Sequence, residues 1–565
     1  MKEIDTLLLK YWGYNQFKDS QKYVINSIIN GENALVSLPT GGGKSICFQL
    51  PSLIIGGTTF VVSPLVALME DQVKNLIRRG ISSFYFKSNT KYLTIDQQLD
   101  NCINGNYNII YCSPERFGNN DFLNKIQSAK ISHIAVDEAH CISEWGHEFR
   151  PSYRNIKKFT DLFPKASISA YSGSANPMVR KDIVRNLGLI KYNVIKASYE
   201  RKNIFYEIKY VEDKIEELFK IIKNESCIIY CKTRKSTEFI SRKLSEEQYS
   251  VDYFHGGMSD EDKKDKLSKW QSEDIKIIVA TTAFGMGIDK SDVNKVIHLD
   301  IPETIENYYQ ESGRVGRGGQ NSKAILIVSH EDKNLFIKNS LNNLPNKVEL
   351  AQVYKKLCSH FQIPIGEGQG SSFNFDLNDF CNKYKFNKRK TYNVIRFLEN
   401  NDIIILKTIL RNKIKISLRV SVNKIRESIQ VETPQGKVIE SLLRLYPNII
   451  QEKIEFSISK MKQLTNLKEK DINQYLNFYT KMNFLNIEEI KSDHQIYWLK
   501  PREDKYSINP LIPKLNKINS IKKIKYEDVL NYIFDNKNCK TRQLLKYFGE
   551  NKTENCMNCS SLCCK

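Results

Sequence analysis

The stretch Leu38-Pro-Thr-Gly-Gly-Gly-Lys-Ser45 carries the residue types that hold a polyphosphate. Gly41, Gly42 and Gly43 allow a tight turn whose successive N–H groups point into one concavity. The helix start that follows adds unpaired donors and the positive end of its dipole. Lys44 can reach β- and γ-phosphates, and the Ser45 hydroxyl can ligate Mg²⁺. With Thr40 these residues form a candidate nucleotide cradle. The strict pattern has glycine where Leu38 stands, and a glycine-rich turn before an ordinary helix is the bland alternative.

A second chemical signal is His133-Ile-Ala-Val-Asp137-Glu138-Ala-His140, an apolar run ending in two carboxylates. Asp137 suits the Mg²⁺ that bridges phosphates, and Glu138 suits deprotonation of an attacking water. A helix-capping acidic pair is the alternative. The next loop contains Trp145, Phe149 and Arg150, side chains that stack on bases or hold a phosphate beside the carboxylates. Ser172-Gly-Ser174 closes another apolar run, and its hydroxyls are expected to hydrogen-bond toward the carboxylates and sense the phosphate.

Upstream of the cradle, Tyr14 or Lys18 offers a face and Gln21 an amide edge for an adenine; core packing is the equal alternative. Ser63, Ser113 and Arg116 follow apolar runs at positions that line the ligand face of an open α/β sheet, and suit phosphates of a second ligand, DNA. From about residue 201 a second strand–helix series begins. Its strand ends carry Thr233, Arg234, His255, Thr281 and Thr282, further DNA-contact candidates, and Asp289 is placed to accept from a ribose hydroxyl. This half has no cradle and no Asp-Glu pair, so it reads as the partner that closes on the first. Arg314 and Arg317, read as one face of a helix start, are the guanidiniums that stabilise charge on a transferring phosphoryl group.

The elements behind these residues are buried parallel strands alternating with helices. At 565 residues the chain exceeds one core. A formal net charge of +21 fits a polyanion partner, nucleic acid first, although an Asn/Ile/Lys-rich composition also inflates it. No membrane-length apolar run or convincing secretory leader is present, so a cytosolic (nucleoid-associated, if bacterial) protein is expected. Eight of the thirteen cysteines are scattered and read as buried free thiols. The last five crowd the end, where Cys539, Cys556, Cys559 and Cys563 have the spacing of a Zn²⁺ site, with Cys564 as the alternative to Cys563.

Together the motifs resemble superfamily-two helicases and, within them, the RecQ family: PTGGGKS, SPLVALMEDQ, SPERF, DEAH, CISEWGHEFRPSY, YSGSA, IIYCKTRKSTE, HGGM, ATTAFGMGID and YYQESGRVGRGG occur in family order. The tail resembles the RecQ zinc module. The resemblance implies an α/β fold of two tandem RecA-like lobes, Mg²⁺-ATP in the cleft, and 3′–5′ translocation on single-stranded DNA that unwinds duplex, in repair or recombination. It also implies an adenine site at Tyr14, Lys18 and Gln21, and a hydrolytic set of Lys44, Ser45, Asp137, Glu138, Gln310, Arg314 and Arg317. This chain departs from the pattern at Lys18, Glu144, Ser172-Gly-Ser174 and Gly318. An RNA helicase of the same superfamily and a non-enzymatic annealing scaffold are the alternatives.

The expected domains are a first lobe at 1–200 and a second at 201–345. A helical linker with a first winged-helix-like domain follows at 346–435, with its hairpin in the alternating segment 403–422. A second winged-helix-like domain takes 436–505, and a helical zinc-binding module 506–565. No further nucleic-acid-binding domain is expected after Lys565.

Overall fold

A computed structural model describes residues 2–18, 20–39, 41–87, 94–146, 148–285, 290–408, 414–421, 424–425, 433–450, 452–489 and 494–564. Two units emerge, residues 1–342 with 517–565 and residues 343–516.

In the first unit, short β-rich apolar runs form two all-parallel sheets. β1 (Ala34–Ser37), β2 (Thr58–Val62), β3 (Ser83–Tyr85), β4 (Ile109–Cys112), β5 (Ile131–Val136), β6 (Ser167–Ser172) and β7 (Asn193–Lys196) make the first, in the order β3-β4-β2-β5-β6-β1-β7. β1, β2 and β4 are buried at every position, as strands covered on both faces must be. The order places β5, β6 and β1 side by side. The loop after Ser37, the carboxylates after Val136 and the hydroxyls of Ser172 and Ser174 therefore converge at one sheet edge, although about 130 residues separate them along the chain.

The second sheet is β8 (Ile204–Tyr210), β9 (Cys227–Tyr230), β10 (Val251–Phe254), β11 (Ile277–Ala280), β12 (Lys295–His298) and β13 (Ser322–Val328), in the order β10-β11-β9-β12-β13-β8. The sequence alone reads 190–205 as a linker, but strands extend into it from both sides. β7 pairs with β1 and β8 with β13, leaving only 197–203 between the sheets. β7 is exposed at three of its four residues, so its alternation gives little sign of a strand.

The second unit differs from the expected tandem pair of winged-helix-like domains at 346–435 and 436–505. β14 (Ser372–Phe375) precedes helices Leu377–Tyr384 and Lys388–Asn400, β15 (Ile404–Thr408) and β16 (Ile414–Leu418). After helix Pro434–Leu445 come β17 (Ile454–Phe456), helices Ile458–Thr465 and Glu469–Lys481, β18 (Leu485–Glu489) and β19 (His494–Trp498). β15 does not fold back on β16. It pairs with β19, Ile404 opposite Trp498, while β16 pairs with β18, Ile414 opposite Glu489. The two pairings differ in register by one residue, so they form a broken ribbon, and one three-helix module is nested between the ribbon strands of another. The inner core gathers Ile416, Val438, Leu442, Phe456, Met461 and Leu476. Neither 409–413 nor 490–493 contains the Asn-Gly or Asp-Gly pair that a two-residue hairpin favours.

Helix Ile512–Phe534 returns the chain to the first unit, where helix Lys540–Tyr547 and the cysteine tail follow. No helix among the described residues is long and apolar enough to cross a membrane.

Candidate active site and zinc module

The cradle forms between β1 and helix Lys44–Gln49. Gly41 and Gly43 have φ of 77° and 72°, a region in which a side chain is strained, and a Cβ on Gly43 would lie 2.3 Å from Gln21 Nε2. Gln21 is buried, and its amide donates to the Gly42 and Gly43 carbonyls at 3.2 Å each. Lys18 Nζ donates to the Gly41 carbonyl at 2.7 Å. Lys18, expected as a face for adenine, and Gln21, expected at its edge, thus brace the phosphate loop, while Tyr14 is exposed. Thr40 and Asp289 lie outside the described residues.

Across the edge, Glu138 adopts φ 45° and ψ 45°, a left-handed conformation that costs a non-glycine residue on the order of 1–3 kcal/mol. That turn at the strand end brings its carboxylate to Lys44 Nζ at 3.5 Å and to His140 Nδ1 at 3.2 Å. Burial alone would lower the Lys44 pKa, but the Glu138 and Asp137 carboxylates outweigh it and hold the ammonium above its ordinary value. Burial, reinforced by the Glu138 charge, pushes Asp137 up to about 6. Two half-buried carboxylates facing one lysine form a site short of positive charge. Mg²⁺ fits there, with Ser45 and Asp137 as the residues that would hold it.

His140 Nδ1 also lies 3.3 Å from Ser172 Oγ, Ser172 Oγ accepts from Ser174 N at 3.4 Å, and Ser174 Oγ accepts from Gln310 Nε2 of the second lobe at 2.9 Å. Ser172 thus meets His140, the partner of Glu138, where a bond to the carboxylates themselves is expected, and the serine contacts continue across the cleft to Gln310. The arginines do not sit on a helix start: helix Ile305–Ser312 ends before them, and Arg314 and Arg317 occupy the turns that follow. Gly313 caps the helix at φ −69°, and Gly316, at φ +62°, turns the chain between the two arginines. Arg317 Cγ lies 3.6 Å from the Cβ position of Gly41, so its stem packs over the phosphate loop. Arg314 is buried deeper and shares a hydrogen bond with Tyr230.

The DNA-contact candidates divide into two groups. Ser113 and Arg116 line an open cavity of about 460 Å³ with Val66 and Phe86, and Arg116 Nη2 donates to the Lys87 carbonyl at 2.5 Å. Thr233, Arg234, Thr281 and Thr282 gather at adjacent strand ends because β11 and β9 are neighbours, although the Thr233 hydroxyl also caps helix Arg234–Glu246. The others are already engaged in the fold. Ser63 is buried, and His255 is buried with Nε2 2.9 Å from Glu238. Arg150 donates to the Pro64 carbonyl at 2.9 Å and pairs with Glu148 at 2.6 Å. Trp145 packs on the lobe core with Lys517 Nζ 6.0 Å from its ring centre, and Phe149 carries the Arg154 guanidinium at 4.8 Å.

In the tail, Cys539, Cys556, Cys559 and Cys564 bring their sulfurs within 4.8 Å of one another. The Cys556–Cys564 and Cys559–Cys539 separations are 3.9 and 4.0 Å. These fit the edges of a tetrahedron built on Zn–S bonds of about 2.3 Å. Backbone N–H groups of Arg542 and Cys556 point at Cys539 Sγ, and the Cys556 thiol, donating to Cys559, draws the latter down to about 4. The fourth ligand is Cys564, not Cys563. Cys563 Sγ lies 3.8 Å from Cys564 Sγ but is half-buried, and in the terminal turn Leu562–Cys564 it is Cys564 that is buried with its sulfur beside the other three.

Three family profiles match in order: DEAD/DEAH box helicase at residues 18–182, helicase conserved C-terminal domain at 212–319, and RecQ zinc-binding at 502–564. The ATP-dependent DNA helicase RecQ of Bacillus subtilis is 39% identical over 332 residues, 58% of this chain and 56% of that protein. Its namesake in Pasteurella multocida is 38% identical over 324 residues, 57% and 51% of the two chains. The chain spans about half the length of these curated relatives. The solved DUF1998 helicase MrfA bound to DNA and AMPPNP superposes with a TM-score of 0.50 at 19% identity, covering 60% of this chain and 51% of that one, and so shares the fold. With both helicase lobes matched in sequence order and a four-thiol site where the RecQ zinc-binding profile falls, the chain is similar to RecQ-type helicases across its two lobes and its zinc module.

Proposed function

We propose that this chain is an ATP-dependent DNA helicase that moves 3′ to 5′ along single-stranded DNA, unwinds duplex ahead of it, and serves recombination and repair. The observation that carries the reading is Arg317 packed over the phosphate loop of the opposite lobe, with Lys44 and Glu138 on the near side. Such a cleft stabilises a transferring phosphoryl group only when both lobes contribute.

When bound, Mg²⁺-ATP supplies the phosphoanhydride and the counter-charge for its oxygens. The loop N–H groups and Lys44 hold the phosphates. Glu138 Oε accepts the proton of the attacking water, with His140 orienting the carboxylate from Nδ1. Arg317 neutralises the charge that develops on the far side. The Gln310–Ser174 bond registers closure, because it exists only while the lobes meet. DNA is read as lying along Ser113, Arg116 and the strand ends of the second lobe, and the Trp145 loop as coupling its presence to Asp137 and Glu138. The +21 charge supports the polyanion, and the names of the relatives support DNA.

The test is strand displacement on duplexes with 3′ or 5′ overhangs, with and without ATP. Displacement from the 3′ overhang alone is expected. ATPase stimulation by RNA and not by DNA would move the assignment to an RNA helicase, and no phosphate release with either would leave an annealing scaffold.

A further inference from the structure

The tripeptide Phe548-Gly549-Glu550, just past helix Lys540–Tyr547, touches three parts of the motor at once. The Phe548 carbonyl accepts from Arg180 Nη2 of the first lobe at 3.2 Å, and Arg180 Nη1 donates to the Ala175 carbonyl at 3.0 Å. Gly549 has φ +82°, and a Cβ there would lie 2.7 Å from Pro177. Glu550 accepts from the backbone N–H of Tyr199 at 2.6 Å and from the Ser198 hydroxyl at 2.8 Å, both in the segment joining the lobes. The Phe548 ring stacks on Tyr199 at 4.6 Å and 12° and leans on Tyr309 of the second lobe at 4.8 Å. Tyr309 in turn donates to the Tyr199 carbonyl at 2.8 Å.

These contacts are one residue from the chemistry on both sides. Ala175 follows Ser174 and Tyr309 precedes Gln310, and Ser174–Gln310 is the bond across the cleft. The rest of the zinc module is fastened to the same joint. Asn558 donates to the Lys202 carbonyl at 3.1 Å, and Ser560 N donates to the Tyr206 carbonyl at 3.0 Å on the edge strand β8.

We propose that Phe548-Gly549-Glu550 is a positioning wedge: it fixes the interlobe joint so that Gln310 and Arg317 meet the first lobe in register, making ATP turnover depend on the zinc module without that module touching nucleotide. This rests on the ATPase reading above, and its test separates the two. Donor and acceptor dyes are placed at exposed Lys165 and Glu247 in the nucleotide-free full chain, and ATPase kinetics and bound zinc are measured in parallel.

In Glu550→Gln, kcat should fall about tenfold while KM for ATP stays within about twofold, because misplacement of distant groups costs rate before binding. The interlobe distance distribution should broaden and zinc should remain one per chain. Phe548→Leu should show the same two changes. A fall in kcat without broadening, or an unchanged kcat and distribution in both variants, overturns the wedge. If the unmodified protein hydrolyses no ATP, the ATPase reading fails, and the distance distribution alone still judges the wedge.

Discussion

The two lobes are built alike and do different work. Each is a parallel sheet whose strand ends open on one edge. In the first lobe those ends carry a strained glutamate, a lysine and a glycine loop, all aimed at one point. In the second lobe the corresponding ends are occupied by their own structure: the Thr233 hydroxyl caps helix Arg234–Glu246, and His255 is tied to Glu238. On the proposed reading its chemistry would come from Gln310, Arg314 and Arg317, on a helix end and the turns beyond it. One lobe holds, and the other reaches across. Holding needs a preformed cradle, whereas reaching needs only a few long side chains whose contact can be made and broken as the cleft moves.

The sharpest way to break that contrast is to remove one residue from each side. Lys44→Ala should lower ATP turnover about a thousandfold or more and weaken nucleotide binding, since its ammonium serves ground state and transition state together. DNA affinity should change little, as fluorescence anisotropy would report. Arg317→Ala should lower kcat about a hundredfold with nucleotide affinity nearly kept, because a guanidinium in the reaching lobe acts mainly on the transition state. Equal losses of nucleotide affinity in the two variants would erase the distinction between holding and reaching.

A finer cut falls on the bond between the lobes. Ser174→Ala deletes the acceptor for Gln310 and leaves the cradle intact. Turnover should fall about tenfold, with DNA stimulation reduced more than the DNA-free rate. If Ser174→Ala and Gln310→Ala each cost the same as the double variant, the two act as one unit.

How much of this asymmetry the sequence discloses depends on how local each signal is. The cradle and the Asp137–Glu138 pair stand at the ends of short, largely apolar runs, so a strand followed by functional residues is visible within ten positions. The arginines are visible as residue types, but their setting is not: the helix stops at Ser312, and the Gly313–Gly316 turns decide where the guanidiniums go. Adjacent Cys563 and Cys564 are equivalent in spacing, and only the rotation of the last turn selects Cys564. In the second unit, every strand is legible and the pairing is not, because β15 could satisfy its edge with either β16 or β19 and the choice depends on packing about ninety residues away. The grip of Phe548 and Glu550 on Tyr199 leaves no pattern in sequence, since an aromatic and an acid near a helix end usually signify nothing beyond packing and solvation.

A comparison of strand-end residues in the two lobes should give a much smaller effect on the second. His255→Gln keeps a donor for Glu238 and should change turnover by less than about twofold, against a far larger loss in Glu138→Gln at the equivalent edge of the first lobe. A tenfold loss in His255→Gln would mean that the second lobe, too, carries chemistry at its strand ends.

The smallest effect concerns how the first lobe keeps its edge rigid. His133 in β5 is fully buried, four residues before Asp137, with its ring nitrogens 2.8 Å from Ser167 Oγ and 2.7 Å from Ser169 Oγ on β6. Burial pushes its pKa down to about 3, so it folds neutral. The unfolded chain takes up that proton below about pH 6.5. Its contribution to stability is therefore complete above pH 6.5 and is lost as pH falls toward 3, with a slope of at most about 1.4 kcal/mol per pH unit. His133→Gln retains a polar contact to the serines and removes the titration. Between pH 6 and 4, as an order-of-magnitude window set by that linkage, its urea midpoint should fall less steeply than that of the parent chain. Parallel slopes would mean that the β5–β6 contact beneath the carboxylates opens to protons before the lobe unfolds, and that the holding lobe is softer at its catalytic edge than its burial implies.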